Sequence, residues 1–152
     1  MRLRRAAGSA CLFLALSACS LMTPDKDADA LARRFIGEVA SGADLSKDPA
    51  VDPQLAGAAW QTQREGLMGL FPKPMPDSVK TTGWSLNAKA GEGARAELRF
   101  KYLYGKTPVV LTTVLRKPEG KTAWIATGLT GARDAGPVTL GEPARASAGG
   151  VD

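Results

Sequence analysis

The run Phe71-Pro72-Lys73-Pro74-Met75-Pro76 divides the chain into two halves whose apolar residues follow different periods. Each proline fixes its own backbone and biases the residue before it away from helix, so no helix can pass this stretch. It reads as a rigid, extended connector. Before it, Ala28, Leu31, Ala32, Phe35, Ile36 and Val39 recur at three- and four-residue steps and form one apolar helix face. Asp25 or Asp27 can cap that helix, and Ser41-Gly42-Ala43 ends it. Asp52-Pro53 reads as the N-cap and first-turn proline of a second helix. Its apolar positions are Leu55, Ala56, Ala59, Trp60, Leu67, Leu70 and Phe71. Gly66 and Gly69 weaken it by up to about 1 kcal/mol each relative to alanine.

After the prolines the period falls to two. Strands are expected over 79–86, 94–104, 109–116 and 123–129, joined by turns at 87–93, Gly105-Lys106 and Pro118-Glu119-Gly120-Lys121. The second is the clearest, with Ala96, Leu98, Phe100 and Tyr102 alternating against Arg95, Glu97, Arg99 and Lys101. One face is therefore buried and the other wet. The fold class that follows is α+β: two N-terminal helices packed on a four-stranded antiparallel meander.

The N-terminus carries a different kind of signal. Arg2, Arg4 and Arg5 precede a short apolar segment, residues 10–16, that is roughly half the ~20 residues a membrane span requires. The junction Leu16-Ser17-Ala18-Cys19 resembles the lipobox of bacterial lipoproteins at every position. The resemblance implies cleavage between Ala18 and Cys19, a diacylglyceryl group on the Cys19 sulfur and a permanent membrane anchor. A thiolate is the nucleophile such a transfer needs, and several acyl chains hold where one binds only marginally. Ser20 stands where those lipoproteins carry an aspartate when retained in the inner membrane, which implies the outer membrane, facing the periplasm. The implied partners are the membrane, the processing enzymes, and an unidentified envelope protein or polymer.

The expected organisation is a signal peptide at 1–18, a tether at 19–27, one α+β domain at 28–131, and a disordered tail at 132–152 rich in Gly, Ala and Pro. Removing the signal takes three of the 20 Lys and Arg and none of the 15 Asp and Glu, so a formal charge of +5 becomes +2. That weakens the electrostatic case for nucleic acid. Cys11 leaves with the signal and Cys19 is modified, so no thiol remains for a disulfide, a metal or a nucleophile.

The order of elements resembles the NTF2-like and cystatin-like group, in which N-terminal helices pack into a bent antiparallel sheet. The residues carrying the likeness are Leu31, Phe35 and Val39, the Trp60 helix, and the hairpin-linked strands ending Ala123-Trp124-Ile125-Ala126. NTF2-like members usually have a further helix, and nothing after Ser85 is long and periodic enough to supply it. A plain helical pair on a four-stranded sheet stays open.

The chain has no histidine, which removes the commonest general base and the commonest transition-metal ligand. No nucleophile elbow, P-loop or dinucleotide fingerprint occurs. Asp25, Asp27, Asp29, Asp44, Asp48 and Asp52 sit near helix starts and loops, where capping explains them. The expectation is no catalytic residue, no metal and no cofactor. The leading function is a lipid-anchored, non-catalytic interaction or structural module of the cell envelope. The alternative is a binder of a small apolar ligand in a cone-shaped pocket lined by Trp60, Phe100, Tyr102 and Trp124. Arg95, Arg99, Lys101, Lys106, Arg116, Lys117 and Lys121 place positive charge along the outer sheet and its turns.

Overall fold

A computed structural model describes residues 23–145 apart from 74, 134 and 135. Helix α1, Lys26–Ser41, starts where the Asp25 carboxylate accepts the backbone N–H groups of Asp27 at 2.9 Å and Ala28 at 3.2 Å. Asp27 and Asp29 in the first turn complement the helix dipole. The helix stops at Gly42, whose φ of 67° is the left-handed conformation that returns the chain, and the N–H of Ala43 reaches back to Glu38 O at 2.9 Å. All six apolar positions expected of its face are buried.

The second helix is broken, contrary to the expectation of one helix from Pro53 onward. Short 3₁₀ turns occupy Leu45–Lys47, Pro53–Ala56 and Ala58–Trp60, and only Gln61–Met68 is α-helical, here α2. Gly57 is the physical reason. It takes an extended conformation, φ −64° and ψ 158°, between the last two turns. The carbonyls left open there, Leu55 O and Gly57 O, accept the Arg64 guanidinium.

Five strands follow: β1, Ser78–Lys89; β2, Gly93–Tyr104; β3, Thr107–Lys117; β4, Ile125–Ala132; and β5, Pro137–Gly141. They form one open antiparallel sheet in the order β1-β2-β3-β4-β5. The expectation of four strands is corrected, because the segment read as a disordered tail contributes β5. Leu140, wholly buried, pairs opposite Leu129, and Val138 pairs opposite Gly131. Trp124 precedes β4 and does not lie within it. Beyond the reach of β5, Val51 bridges to Ala126, whose N–H donates to Ala50 O at 2.8 Å and whose carbonyl accepts Asp52 N–H at 2.9 Å.

The inner face of the sheet and the helices enclose one core. Phe35 and Ile36 of α1, Leu67 of α2, and Phe100, Leu111 and Leu129 of the sheet have no exposed surface. Gly131 admits α2 here, since a Cβ on it would stand 2.6 Å from Leu70 Cδ1 and 2.9 Å from Leu67 Cδ2. The sheet is open at both ends, and β1 presents a long edge.

Two glycine substitutions separate backbone entropy from packing. Gly37 lies within α1 with nothing within 4 Å of a built Cβ, so Gly37→Ala should raise stability by about 0.5–1 kcal/mol. A Cβ at Gly128 would collide with the backbone of Glu142, so Gly128→Ala should cost about 2 kcal/mol or more. Urea denaturation of both variants measures the difference.

Candidate functional site

The four residues expected to line a ligand pocket are placed in or against the core. Phe100 is completely buried, with its ring 6.4 Å from Tyr102 at an interplanar angle of 80° and the Arg33 guanidinium 4.8 Å above it. Tyr102 and Trp124 are buried, Trp124 beneath Lys117 Nζ at 4.6 Å, and Trp60 packs half-buried against the cluster. Burial pushes the Tyr102 hydroxyl above its ordinary pKa. Hollows of about 200 Å³ and 240 Å³ lie elsewhere, one on the outer face of the sheet and one between the C-terminal end of α1 and α2, and wider, shallow ones of about 380 Å³ and 450 Å³ lie beside the 118–121 turn and the loop after α1. None of these is lined by any of the four. Ala18 and Cys19, the cleavage and lipidation positions, lie outside the described residues.

The outer face is the distinctive surface. Strand alternation puts Lys101, Arg99, Glu97 and Arg95 of β2 on it, and the register sets Arg95 opposite Arg116 and Lys101 opposite Lys80. Like charges directly opposite are unfavourable, and the first pair is neutralised from an unexpected quarter. After Gly141, at φ 72°, the chain turns across this face, and Glu142 N–H donates to Thr127 O at 2.8 Å. The Glu142 carboxylate then accepts Arg95 Nε at 2.7 Å, Arg116 Nε at 2.7 Å and Nη2 at 2.8 Å, and Thr127 Oγ1 at 3.0 Å. Thr127 is aimed there by an irregularity in the β3–β4 register, where Val114 faces Gly128 and Leu115 faces Ala126.

Arg95, expected on the wet face, is 8% exposed because this strap covers it. Its guanidinium also bonds Glu97 and donates to Pro143 O at 3.0 Å, while Arg145 N–H donates to Glu97 Oε1 at 3.1 Å. The Arg116 guanidinium first, against the cost of burial, then Arg95 and Thr127, bring the Glu142 carboxyl down to about 2. Glu142 carried no sequence signal, being one acid in a segment poor in apolar residues.

A second charged cluster joins α1 to the loop after it. Arg34 Nη2 lies 2.8 Å from Asp48 Oδ2 and Nε lies 3.7 Å from Glu38 Oε1, while Asp48 Oδ1 accepts Ala50 N–H at 2.8 Å. Burial first, then the adjoining Asp48 carboxylate, push the Glu38 carboxyl up, with Arg34 opposing. This cluster clamps the 43–50 loop to α1. Among the described residues no group of three or more Asp or Glu is arranged to hold a metal ion, and no described helix is long and apolar enough to cross a membrane.

No family model, curated protein or solved structure matches the chain.

The two carboxylates act on stability with opposite signs. Glu142 has its folded pKa lowered, so its contribution is present above the unfolded value of 4.5 and is lost as pH falls toward about 2. Glu142→Gln should therefore cost about 2–3 kcal/mol at pH 7 and little at pH 2. Glu38 has its folded pKa raised, so its contribution is greatest below the unfolded value and is lost as pH rises through the folded one. Glu38→Gln should stabilise the protein at pH 7. Denaturation midpoints at both pH values test the pair.

Proposed function

We propose that the protein is a lipid-anchored component of a bacterial cell envelope, a non-catalytic interaction module held at the outer membrane through Cys19. The observation that carries this reading is the junction Leu16-Ser17-Ala18-Cys19 behind a basic, then apolar, leader. Ser20 supports the outer membrane and the periplasmic side. Function then falls to the surface, because the inner face of the sheet is occupied by α1 and α2 and the side chains suited to a pocket are spent on packing.

The meander of hairpins preceded by helices supports placing the domain beside the NTF2-like and cystatin-like group. The absence of a helix between β1 and β5 among the described residues departs from the usual NTF2-like pattern and supports the plain alternative of a helical pair on an antiparallel sheet. The small-ligand reading has less support. Phe100 has no exposed surface, and the concavities of about 380 and 450 Å³ that reach the size of typical ligand pockets are wide, shallow surface features lined by none of Trp60, Phe100, Tyr102 and Trp124.

Replacing Cys19 by Ala tests the anchor. The expected result, by mass spectrometry of the bacterial membrane fraction, is full-length precursor still carrying residues 1–18 and no acyl mass, whereas wild type begins at an acylated Cys19. Efficient cleavage of Cys19→Ala at the same bond would overturn the lipoprotein reading.

A further inference from the structure

The charges of this chain are segregated by layer. Residues 23–72, the helical layer, hold five Lys and Arg against eight Asp and Glu, whereas residues 73–145, the sheet and its strap, hold twelve against six. On the outer face the two acids, Glu97 and Glu142, are both engaged by Arg95, and Glu142 also by Arg116. Further along the same face Lys80 stands directly opposite Lys101, and neither makes an ion pair among the described residues. Facing lysines on neighbouring strands have Cβ atoms about 4.5–5.5 Å apart and repel each other. Arg99 follows two residues along β2 from Lys101, about 7 Å away on the same face. The groove of about 200 Å³ lined by Gly83, Trp84, Ser85, Glu97, Arg99 and Thr112 continues the line, adding hydroxyl groups beside the cations.

We propose that this outer face binds an extended polyanion, a phosphate-bearing polymer of the envelope, along Lys80 and Lys101 and the groove beside them. A polymer fits better than the alternatives on chemical grounds. The groove is too small for a whole drug-sized ligand, and Ser85 and Thr112 can donate to phosphate oxygens. A bilayer surface would call for apolar anchors, and Val110 is the one large apolar side chain markedly exposed on this face among the described residues. Single-stranded nucleic acid would call for several exposed aromatic platforms, whereas this groove has one aromatic residue, Trp84, half-buried against the core. The repulsion between Lys80 and Lys101 is relieved when anionic groups arrive, so the cost of the unbound pairing becomes affinity for the ligand. The inference deepens the interaction-module reading by naming the partner's chemistry. Assigning the polymer to the envelope rests on the lipoprotein reading, which the processing of Cys19→Ala tests separately, whereas polyanion binding by this face does not.

The experiment uses the full chain in detergent and fluorescently labelled inorganic polyphosphate, followed by anisotropy over a range of salt. The expected result is saturable binding that weakens steeply with salt. Lys80→Glu with Lys101→Glu should weaken it by about tenfold or more, as loss of two phosphate contacts implies. Lys26→Glu with Lys121→Glu, an equal change of charge away from the face, should move it less than about twofold. Circular dichroism and denaturation midpoints confirm that both double variants remain folded. No saturable binding, or equal weakening by the two double variants, would overturn the proposal. So would binding to vesicles of anionic phospholipid that excess polyphosphate does not displace, which would assign the face to a membrane.

Discussion

Burial of the α1 apolar stripe against the inner face of the meander is the contact on which everything else rests. An antiparallel sheet joined by hairpins has one greasy face, and the described residues, which include no cysteine, cover it with their own helices. Phe35 and Ile36 meet Phe100, Leu111 and Leu115 there with no solvent exposure. Leu67 of α2 closes the side toward β4, and Gly131 gives it room. Because α1 must lie flat on the strands, its ends are fixed with care, by Asp25 at one end and Gly42 at the other. Large-to-small changes in this contact typically cost about 2–5 kcal/mol, a large share of the stability of any single domain.

The opposite face follows a different physical rule. There, among the described residues, no helix excludes water, and order comes from charge. The strap after β5 delivers one carboxylate to two arginines that the β2–β3 register forces together, and that carboxylate ties residues far apart in sequence. Apolar burial holds one side of the sheet and a charge-assisted hydrogen-bond network holds part of the other. This division leaves the uncovered stretch around Lys80 and Lys101 as the place where outside chemistry can enter without disturbing the core.

Much of this was legible from the chain. The α1 face reads directly from its period, and all of Ala28, Leu31, Ala32, Phe35, Ile36 and Val39 are buried. The alternation in β2 likewise separates Leu98, Phe100 and Tyr102 from Arg99 and Lys101. Three things were hidden. The second helix breaks because Gly57 leaves the helical region, a cost the apolar spacing of Leu55, Ala59 and Trp60 does not reveal. β5 has only Val138 and Leu140 to mark it among Gly, Pro and Thr, so its strand character comes from pairing with β4 and from Leu129 beneath Leu140. The strap was invisible for the same reason: Glu142 acquires meaning only from arginines 26 and 47 residues away. The aromatic residues Trp60, Phe100, Tyr102 and Trp124 show the converse limit, since sequence names the residues that could line a pocket and packing decides that they fill it.

A filled space between the helices and the sheet leaves recognition to the exposed faces, and titration of the full chain with a fluorescent fatty-acid analogue, following tryptophan emission, is the measurement that probes it. The expected result is no saturable signal and no change in tryptophan emission. Stoichiometric binding that quenches this emission, and that is lost when Phe100 is replaced by Trp to fill the same space, would contradict a filled core.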